Sequence, residues 1–261
     1  MGKIRSDIAW STADRIVVRG KNFTDEILGK MNLGDFAWLQ LTGNMPTPQQ
    51  STMFNAIIVA LVEHGLTPSV IVARMTYSCA PEALQAAVAA GLCGLGNNVV
   101  GSMEGAARYL SEALPKDAPA DTDLEALAVQ IVARFRQSKT PIPGLGHVIH
   151  TELDPRTPRL FAIAEENGFS GRYVRLMQLV HTEAQRATGR HMPINATGVI
   201  GAISCELGFP WKVTRGFGVM ARAIGLVGHL LEESSNPISR EVWTRTEHES
   251  SSHLRPGAAE S

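Results

Sequence analysis

The feature of this sequence that most constrains its fold is the repeated spacing of apolar residues by three and four positions. This spacing gathers apolar side chains on one face of an α-helix. It occurs in Leu124, Leu127, Ala128, Ile131 and Phe135, in Tyr173, Leu176, Met177 and Val180, and in Phe217, Met220, Ile224, Val227 and Leu231. Alternating strands joined by tight Asn-Gly or Asp-Gly turns are hard to find, and only "DRIVVRG" near residue 17 suggests a short strand. The pattern predicts an all-α protein of about ten helices.

Threonines placed before helical segments predict where several helices begin. Thr47–Gln50 and Thr122–Glu125 have the arrangement of a capping box, and Thr67-Pro68 offers a hydroxyl cap before a first-turn proline. Residues 234–261 lose apolar periodicity and become rich in serine, glutamate and proline, so we expect a disordered tail from about residue 250. Loops are expected at 42–47, 115–122, 138–156 and 188–194.

Composition excludes several classes of partner. The chain has 261 residues, with 24 basic and 25 acidic side chains, and this balance disfavours nucleic acid or an anionic membrane surface. The sequence shows neither the apolar run of a signal peptide nor one long enough to span a membrane. Cys79, Cys93 and Cys205 form no C-x-x-C pair and are interpreted as small buried thiols in a reducing compartment. We therefore expect a soluble, cytoplasmic protein.

Two short motifs are weak signals for bound cofactors. Gly94-Leu95-Gly96 resembles the start of a dinucleotide fingerprint, but position 99 is valine and an alanine-rich helical segment precedes it instead of a strand. His147 and His150 have H-x-x-H spacing, but no cysteine or carboxylate cluster completes a ligand set. The sequence therefore predicts neither a Rossmann site nor a metal site.

The segment "PGLGHVIHTELDPR", residues 143–156, is the strongest candidate for a catalytic site. Gly144 and Gly146 allow the backbone to approach a ligand, and their amides can face an anion or an enolate oxygen. Asp154 can cap the next helix, and Arg156 carries the guanidinium suited to bidentate recognition of a carboxylate. An imidazole at His147 beside this arginine indicates an anionic substrate with a carbonyl or hydroxyl group to polarise.

This segment resembles the citrate synthase signature, Gly-x-Gly-His-x-Val/Ile followed by Asp-Pro-Arg, and the resemblance extends from about residue 14 to 233. "LVEHGLTPSVIVAR" resembles the stretch that carries the first substrate-binding histidine of the family, here His64. "ARAIGLVGHLLEE" resembles the late helix whose arginine binds a substrate carboxylate, here Arg222, with His229 seven residues further on. "MPINATGVIGAISCELGF" resembles the segment that follows the loop with the catalytic aspartate.

The chain is short for this family and resembles citryl-CoA lyase and the C-terminal lyase portion of ATP-citrate lyase more than full-length citrate synthase. The resemblance implies an all-α, citrate synthase-like fold, in which a smaller helical domain closes over the active site. We assign residues 1–104 and 206–261 to the large domain and 105–205 to the small domain. It also implies a homodimer or higher homo-oligomer, with the active site near the subunit interface. No cofactor is expected to be bound permanently, since coenzyme A enters as part of substrate and product.

The sequence departs from the citrate synthase pattern at two positions. A histidine that helps to stabilise the acetyl-CoA enolate in synthases is replaced by Val99, a loss that the lyases share. The Asn-Val-Asp motif that supplies the catalytic carboxylate reads Asn195-Ala196-Thr197. Threonine cannot act as a general base near neutral pH, although it can hold a water or hydrogen-bond a thioester oxygen. Possible substitutes for the carboxylate are Glu104, His150 and His191.

The leading hypothesis is a carbon–carbon lyase that cleaves citryl-CoA, or a citramalyl-CoA-like ester, to acetyl-CoA and a 2-keto acid. His147 and Thr197 are the predicted catalytic residues, and His64, Arg156 and Arg222 are the predicted substrate-binding residues. The predicted coenzyme A-binding residues are Pro143, Gly144, Leu145 and Gly146. Three alternatives remain open: a condensing citrate or methylcitrate synthase-type acyltransferase, a catalytically weak CoA-ester-binding homologue, and a lyase for a bulkier acyl-CoA. Arg240 and Arg255 are weak candidates for a substrate arginine donated by a partner subunit.

Overall fold

A computed structural model describes residues 4–254 and is predominantly helical, as predicted. The strands are β1 (Ala9–Ser11), β2 (Ile16–Val18) and β3 (Lys21–Asn22), followed by a short π-helix, Phe23–Ile27. The helices are α1 (Leu33–Thr42), α2 (Pro48–Val62), α3 (Pro68–Cys79), α4 (Leu84–Cys93), α5 (Gly101–Ala113), α6 (Leu124–Gln137), α7 (Arg156–Glu166), α8 (Arg172–Thr188), α9 (Ala196–Glu206), α10 (Trp211–Ser235) and α11 (Ser239–Ser250), with a final 3₁₀ turn, Ser252–Leu254. The four predicted loops all separate consecutive helices.

The three strands form a small antiparallel sheet in the order β1-β2-β3. Trp10 lies opposite Val17, and Val17 lies opposite Asn22 on the other side. Val18 is buried and packs with Ile27 and Leu39 in a small apolar cluster. The short strand expected near residue 17 is therefore confirmed as β2, in the middle of a sheet whose other two strands were not predicted.

The chain divides into two compact units, which are described separately here. Unit 1 comprises residues 4–60 and Ser102–Thr214 of the described part, and unit 2 comprises Leu61–Gly101 and residues 215–254. The predicted boundaries of a large domain (1–104 and 206–261) and a small domain (105–205) concern closure over a substrate, and they stay a prediction.

The core of unit 1 forms around α8 and α9. Leu176, Met177 and Val180 of α8 are completely buried, as their spacing predicts. Helix α9 is apolar on almost every side and buried along most of its length, which is the pattern of a central helix. A separate aromatic cluster consists of Trp38, Phe54 and Phe209, with Trp38 meeting the other two rings edge-on at centroid distances of 5.5 and 5.0 Å.

The core of unit 2 joins α3, α4 and the second half of α10. Its buried members are Val70, Ala73, Ala87, Leu226 and Leu230. The core face predicted for α10 is wrong. Of Phe217, Met220, Ile224, Val227 and Leu231, only Phe217 is fully buried. Ile224, Val227 and Leu231 are 48%, 47% and 71% exposed, so this helix carries a second apolar face that points to solvent.

The three helices begin where they were predicted to begin, but the side chains that cap them are only partly the predicted ones. Thr47 and Gln50 form the reciprocal capping box, with backbone N–H to side-chain distances of 2.9 and 3.2 Å. Thr67 precedes α3 but its side chain does not cap the helix. At α6 the cap is Asp123, whose carboxylate accepts the N–H groups of the first turn, while Thr122 donates to the preceding loop instead.

The expectation of three buried thiols is wrong. Cys79 and Cys93 are exposed, so only Cys205 is the buried thiol that was predicted for all three. Residues 239–250 form α11 in spite of their weak periodicity, and Arg240 lies exposed on it. Arg255 and the remainder of the predicted tail lie outside the described residues.

Candidate active site

The glycine loop before His147 is anchored by main-chain hydrogen bonds to the segment that leads into α9. Gly146 N–H donates to Pro193 O at 2.8 Å, and Asn195 N–H donates to Gly144 O at 3.0 Å. The Asn195 side chain adds a third bond, from Nδ2 to Gly146 O at 2.6 Å. Three hydrogen bonds to its main chain therefore hold this loop on the segment before α9.

A close contact between two glycines brings α9 against this loop. Gly144 has a φ of +91°, and a Cβ atom built on it would lie 2.6 Å from Gly198 Cα. A Cβ on Gly198 would lie 2.5 Å from Gly144 O. Gly146, with a φ of +78°, has open space where its Cβ would be. The Gly146 amide does not face a ligand as expected, because its N–H is bonded to Pro193 O and its carbonyl to Asn195. Binding of coenzyme A by Pro143, Gly144, Leu145 and Gly146 stays a prediction.

The imidazole of His147 is oriented by the turn that follows it. Its Nδ1 accepts the backbone N–H groups of Ile149, at 3.0 Å, and of His150, at 2.9 Å. In the neutral ring the proton must therefore lie on Nε2, because Nδ1 serves as an acceptor. The His150 ring lies beside that of His147, with a centroid distance of 4.5 Å. His147 is thus prepared to donate a hydrogen bond through Nε2.

Arg156 is held by a fully buried carboxylate two residues before it. Its Nε and Nη2 donate to the two oxygens of Asp154 at 3.0 and 2.8 Å. The same carboxylate accepts the backbone N–H of Ala196 at 2.9 Å. Burial alone would raise the pKa of Asp154, but the bonds from Arg156 and Ala196 outweigh it and lower the pKa to about 2. Asp154 therefore stays ionised and fixes the start of α7 to the start of α9.

Thr197 lies in the first turn of α9 and is engaged on two sides. Asn195 caps this helix through Oδ1, which accepts from Gly198 N–H at 3.0 Å. The Thr197 hydroxyl lies 2.6 Å from the same Oδ1 and 2.6 Å from the hydroxyl of Ser102 on α5. Ser102 carried no recognisable sequence signal and was missed.

The possible substitutes for the missing carboxylate differ in their surroundings. His191 has both ring nitrogens engaged, Nδ1 at 3.0 Å from Gln185 Oε1 and Nε2 at 2.9 Å from Glu152 O. Glu104 is half-buried on α5, and His150 pairs with His147 as described. None of the three is hydrogen-bonded to Thr197 in the described part of the chain, where its partners are Asn195 and Ser102.

In unit 2, the turn that carries His64 is organised by Glu63. One oxygen of this carboxylate accepts the backbone N–H groups of His64 at 2.8 Å and of Gly65 at 2.7 Å, and the other lies 2.9 Å from His229 Nε2. Burial would raise the pKa of Glu63, but the contacts with His229 and with the two backbone N–H groups keep it below its ordinary value. Glu63 was not predicted, although it directly precedes His64 in the sequence.

His229 is oriented in turn by a buried arginine. Arg74, which is 2% exposed, donates to His229 Nδ1 at 3.0 Å and forms an ion pair with Glu233 at 2.9 Å. Because arginine can only donate, His229 accepts on Nδ1, and in the neutral ring the proton lies on Nε2, 2.9 Å from Glu63 Oε2. The chain Arg74–His229–Glu63 therefore supports the turn at His64.

Arg222 is 5% exposed and is surrounded by oxygen atoms of unit 2. Nη1 donates to Val62 O at 2.9 Å, Nε lies 3.5 Å from Ser69 Oγ, and Nη2 donates to the Thr67 hydroxyl. Burial lowers the pKa of this guanidinium, and the nearby Glu63 opposes that shift. Unit 2 thus links Arg222 to the segment next to His64, and carboxylate binding by Arg222 stays a prediction.

Comparison with known protein families assigns the chain to one of them. Residues 13–242 match the family described as "Citrate synthase, C-terminal domain", and the chain belongs to the citrate synthase family.

Within this family, the chain is similar in structure to citryl-CoA lyase from Hydrogenobacter thermophilus. The two are 32% identical, with a TM-score of 0.79, over 89% of this chain and 88% of that one. The structure of ATP citrate lyase from Methanothrix soehngenii, in complex with citrate and coenzyme A, has the same fold. It gives a TM-score of 0.74 at 22% identity and covers 90% of this chain but 39% of that one.

Curated relatives are longer proteins. ATP-citrate synthase beta chain protein 2 of Arabidopsis thaliana is 25% identical over 75% of this chain and 34% of its own length. The chain spans between 34% and 59% of the length of the curated relatives that it matches. Among residues 4–254, no helix has the combined length and apolarity needed to cross a membrane.

Proposed function

We propose that the chain is a CoA-ester carbon–carbon lyase of the citryl-CoA lyase type. It cleaves a 3-hydroxy-3-carboxyacyl-CoA, such as citryl-CoA or a citramalyl-CoA-like ester, to acetyl-CoA and a 2-keto acid. The similarity to Hydrogenobacter citryl-CoA lyase over most of both chains supports this class of reaction. The exact acyl group and a cytoplasmic location are further parts of the proposal.

The observation that carries the proposal is the environment of Thr197. Condensation must remove a proton from the weakly acidic methyl group of acetyl-CoA, and a positioned base typically contributes about 10²–10⁴ in rate to such a step. The Thr197 hydroxyl lies 2.6 Å from Asn195 Oδ1 and cannot ionise near neutral pH. In cleavage the enolate forms by breaking a carbon–carbon bond, and it must then gain a proton at C2, for which water can serve as the acid in place of a carboxylic acid. The missing carboxylate therefore favours the lyase over a condensing acyltransferase.

His147 is the group proposed to act on the oxygen at C3 of the substrate. Since Nδ1 accepts two backbone N–H groups, the neutral ring presents Nε2–H. A donor at this position stabilises the oxygen as the carbinol becomes a carbonyl, but it does not remove the hydroxyl proton. His147 could in principle polarise or deprotonate this oxygen, and the two hydrogen bonds that Nδ1 accepts favour polarisation.

His64, Arg156 and Arg222 are proposed to bind the carboxylates of the substrate. Arg156 has Nε and Nη2 on Asp154 and Nη1 at 3.5 Å from Ala60 O, and each terminal nitrogen carries a second N–H for a ligand. Each terminal nitrogen of Arg222 has a second N–H beyond the one given to Val62 O or to Thr67. Ionised Asp154 keeps the guanidinium of Arg156 in one orientation, as bidentate recognition requires.

A second copy of the chain is proposed as the partner. Met220, Ile224, Val227 and Leu231 follow one another on the outer face of α10 at spacings of four, three and four residues, the spacing of a helix–helix contact. The last three are about half exposed or more. Soluble monomers rarely expose a continuous apolar stripe of this kind. Homodimers are also what the family resemblance implies.

The direct test is to incubate the purified protein with citryl-CoA, and separately with acetyl-CoA and oxaloacetate, while following thioester and keto acid. We expect cleavage without measurable condensation, and a His147→Ala variant should lose cleavage by about 10²-fold or more. Binding of coenzyme A with no turnover in either direction would instead identify a non-catalytic binding homologue. Full activity of the His147→Ala variant would refute the assignment of His147.

A companion variant separates the lyase from a condensing enzyme. Thr197→Asp would place a carboxylate at the position of the family base, next to the Ser102 hydroxyl. If the missing base is what prevents condensation, this variant should gain condensing activity that the unmodified protein lacks. Efficient condensation by the unmodified protein would overturn the proposal in favour of a citrate or methylcitrate synthase-type acyltransferase.

A further inference from the structure

The contact between Ser102 and Thr197 joins the starts of two helices in unit 1. Ser102 is the second residue of α5, Thr197 is the second residue of α9, and their hydroxyl oxygens lie 2.6 Å apart. Both residues are partly exposed. The two hydroxyls therefore form a hydrogen-bonded pair at the position where the family carries its catalytic carboxylate.

The direction of this hydrogen bond follows from Asn195. Its Nδ2 donates to Gly146 O at 2.6 Å, so its Oδ1 is the acceptor for the Thr197 hydroxyl at 2.6 Å. A hydroxyl has one proton, and that of Thr197 is committed to Asn195. Ser102 must then be the donor to Thr197, and Thr197 Oγ1 accepts this bond with one of its two lone pairs.

The second lone pair of Thr197 Oγ1 can only accept. A thioester oxygen is also an acceptor and would not bind there, whereas a water molecule can donate one O–H to Thr197 and direct the other elsewhere. Two uses were considered for Thr197. Because its oxygen can only accept a further hydrogen bond, it can hold a water molecule but cannot donate to a thioester oxygen.

We propose that Ser102 is a positioning residue: its hydrogen bond to Thr197 leaves the Thr197 oxygen able only to accept a further hydrogen bond. Thr197 then holds the water that protonates the acetyl-CoA enolate. This inference rests on the proposed lyase function. In the step, the bond between C2 and C3 of the hydroxyacyl-CoA breaks and its electron pair forms the thioester enolate. The hydroxyl on C3 becomes a carbonyl and releases its proton to solvent.

The water on Thr197 completes the reaction. It gives a proton to C2, which becomes the methyl group of acetyl-CoA, and the resulting hydroxide is neutralised by the proton released from the hydroxyl on C3. In sum, one proton passes from oxygen to carbon, and no oxidant, metal or further reactant is required. Ser102 touches neither substrate nor product in this scheme and acts through Thr197.

The test compares kcat, KM and the solvent deuterium isotope effect for citryl-CoA cleavage among four proteins. Ser102→Ala removes the donor, Ser102→Thr retains a hydroxyl, and Ser204→Ala is a matched control. Ser204 lies on the same helix as Thr197 and donates to Ile200 O at 2.6 Å, remote from the hydroxyl pair in sequence and in bonding. Folding of each variant is checked by circular dichroism and by its melting temperature.

For Ser102→Ala we expect a fall in kcat of about ten-fold, the value of one hydrogen bond, with little change in KM and a larger solvent isotope effect. Ser102→Thr should recover most of the loss, and Ser204→Ala should match the unmodified protein in kcat. The inference is overturned if Ser102→Ala has unchanged kcat and isotope effect, or if Ser204→Ala shows the same defect. Absence of cleavage by the unmodified protein is a different result, which would overturn the proposed function itself.

Discussion

At the scale of single residues, Asp154 connects the starts of two helices in the candidate site. It is completely buried, it binds Arg156 through both oxygens, and it accepts the backbone N–H of Ala196. Removing the charge would leave the guanidinium without its partner and loosen the start of α9. The carboxylate therefore contributes to both stability and positioning.

We expect Asp154→Asn to lower the free energy of unfolding at pH 7. The folded-state pKa of about 2 lies below the ordinary value of 3.8. Such a shift corresponds to about 2 kcal/mol, present above pH 4 and lost as the pH falls from about 4 towards 2. Denaturant titrations of both proteins across this range should show a difference that shrinks with acidification.

The control for this experiment is Asp121→Asn, because Asp121 is exposed in the loop before α6. It should change the free energy of unfolding by less than about 0.5 kcal/mol. A difference between Asp154→Asn and the unmodified protein that stays constant down to pH 2 would contradict the proposed role of the ionised carboxylate.

The sequence predicts which candidate residues lie close together where one motif contains them. His147, Asp154 and Arg156 stand in one continuous segment, so their proximity follows from the chain itself. Ser102 and Thr197 are 95 positions apart, and neither neighbourhood contains a signal for the other. Their pairing depends on the packing of α5 and α9, which no local pattern encodes.

At the scale of helices and loops, the contact between Gly144 and Gly198 fixes how α9 meets the glycine loop. We expect Gly198→Ala to destabilise the protein by about 1–3 kcal/mol, because the new Cβ would press on the backbone of Gly144. Chemical denaturation measures this effect. Gly216→Ala is the matched control: it is also a helical glycine, but its Cβ would meet open space, so it should be neutral or slightly stabilising. Equal effects of the two substitutions would contradict this account.

Helix positions were predictable from the sequence, whereas the roles of individual side chains at helix ends were only partly so. Thr67 precedes a first-turn proline, yet its hydroxyl accepts from the buried Arg222 and leaves the helix uncapped. On α10, periodicity identified the helix but not its buried face. Gly225 lies on the buried side, where a Cβ would be 2.2 Å from Val62 O, and a glycine adds nothing to an apolar pattern.

At the scale of the whole molecule, the exposed apolar face of α10 determines the expected association state. If a second copy covers this face, the double substitution Ile224→Glu and Leu231→Glu should convert a dimer to a monomer, because burying the new charges is costly. Sedimentation velocity measures the change. Val129→Glu on α6 is the control, since Val129 is 47% exposed but lies outside this stripe. A monomeric unmodified protein, or a double variant that stays dimeric, would exclude this interface.

The contact between Gly144 and Gly198 also has an evolutionary consequence. Neither glycine can be replaced by a larger residue unless the backbone of the other moves. A substitution at one position therefore requires an adjustment at the other. Neighbours such as Leu145 are free of this restriction, and their side chains can be exchanged while the path of the main chain persists. The shape of the loop before His147 therefore depends on two positions that carry no side chain.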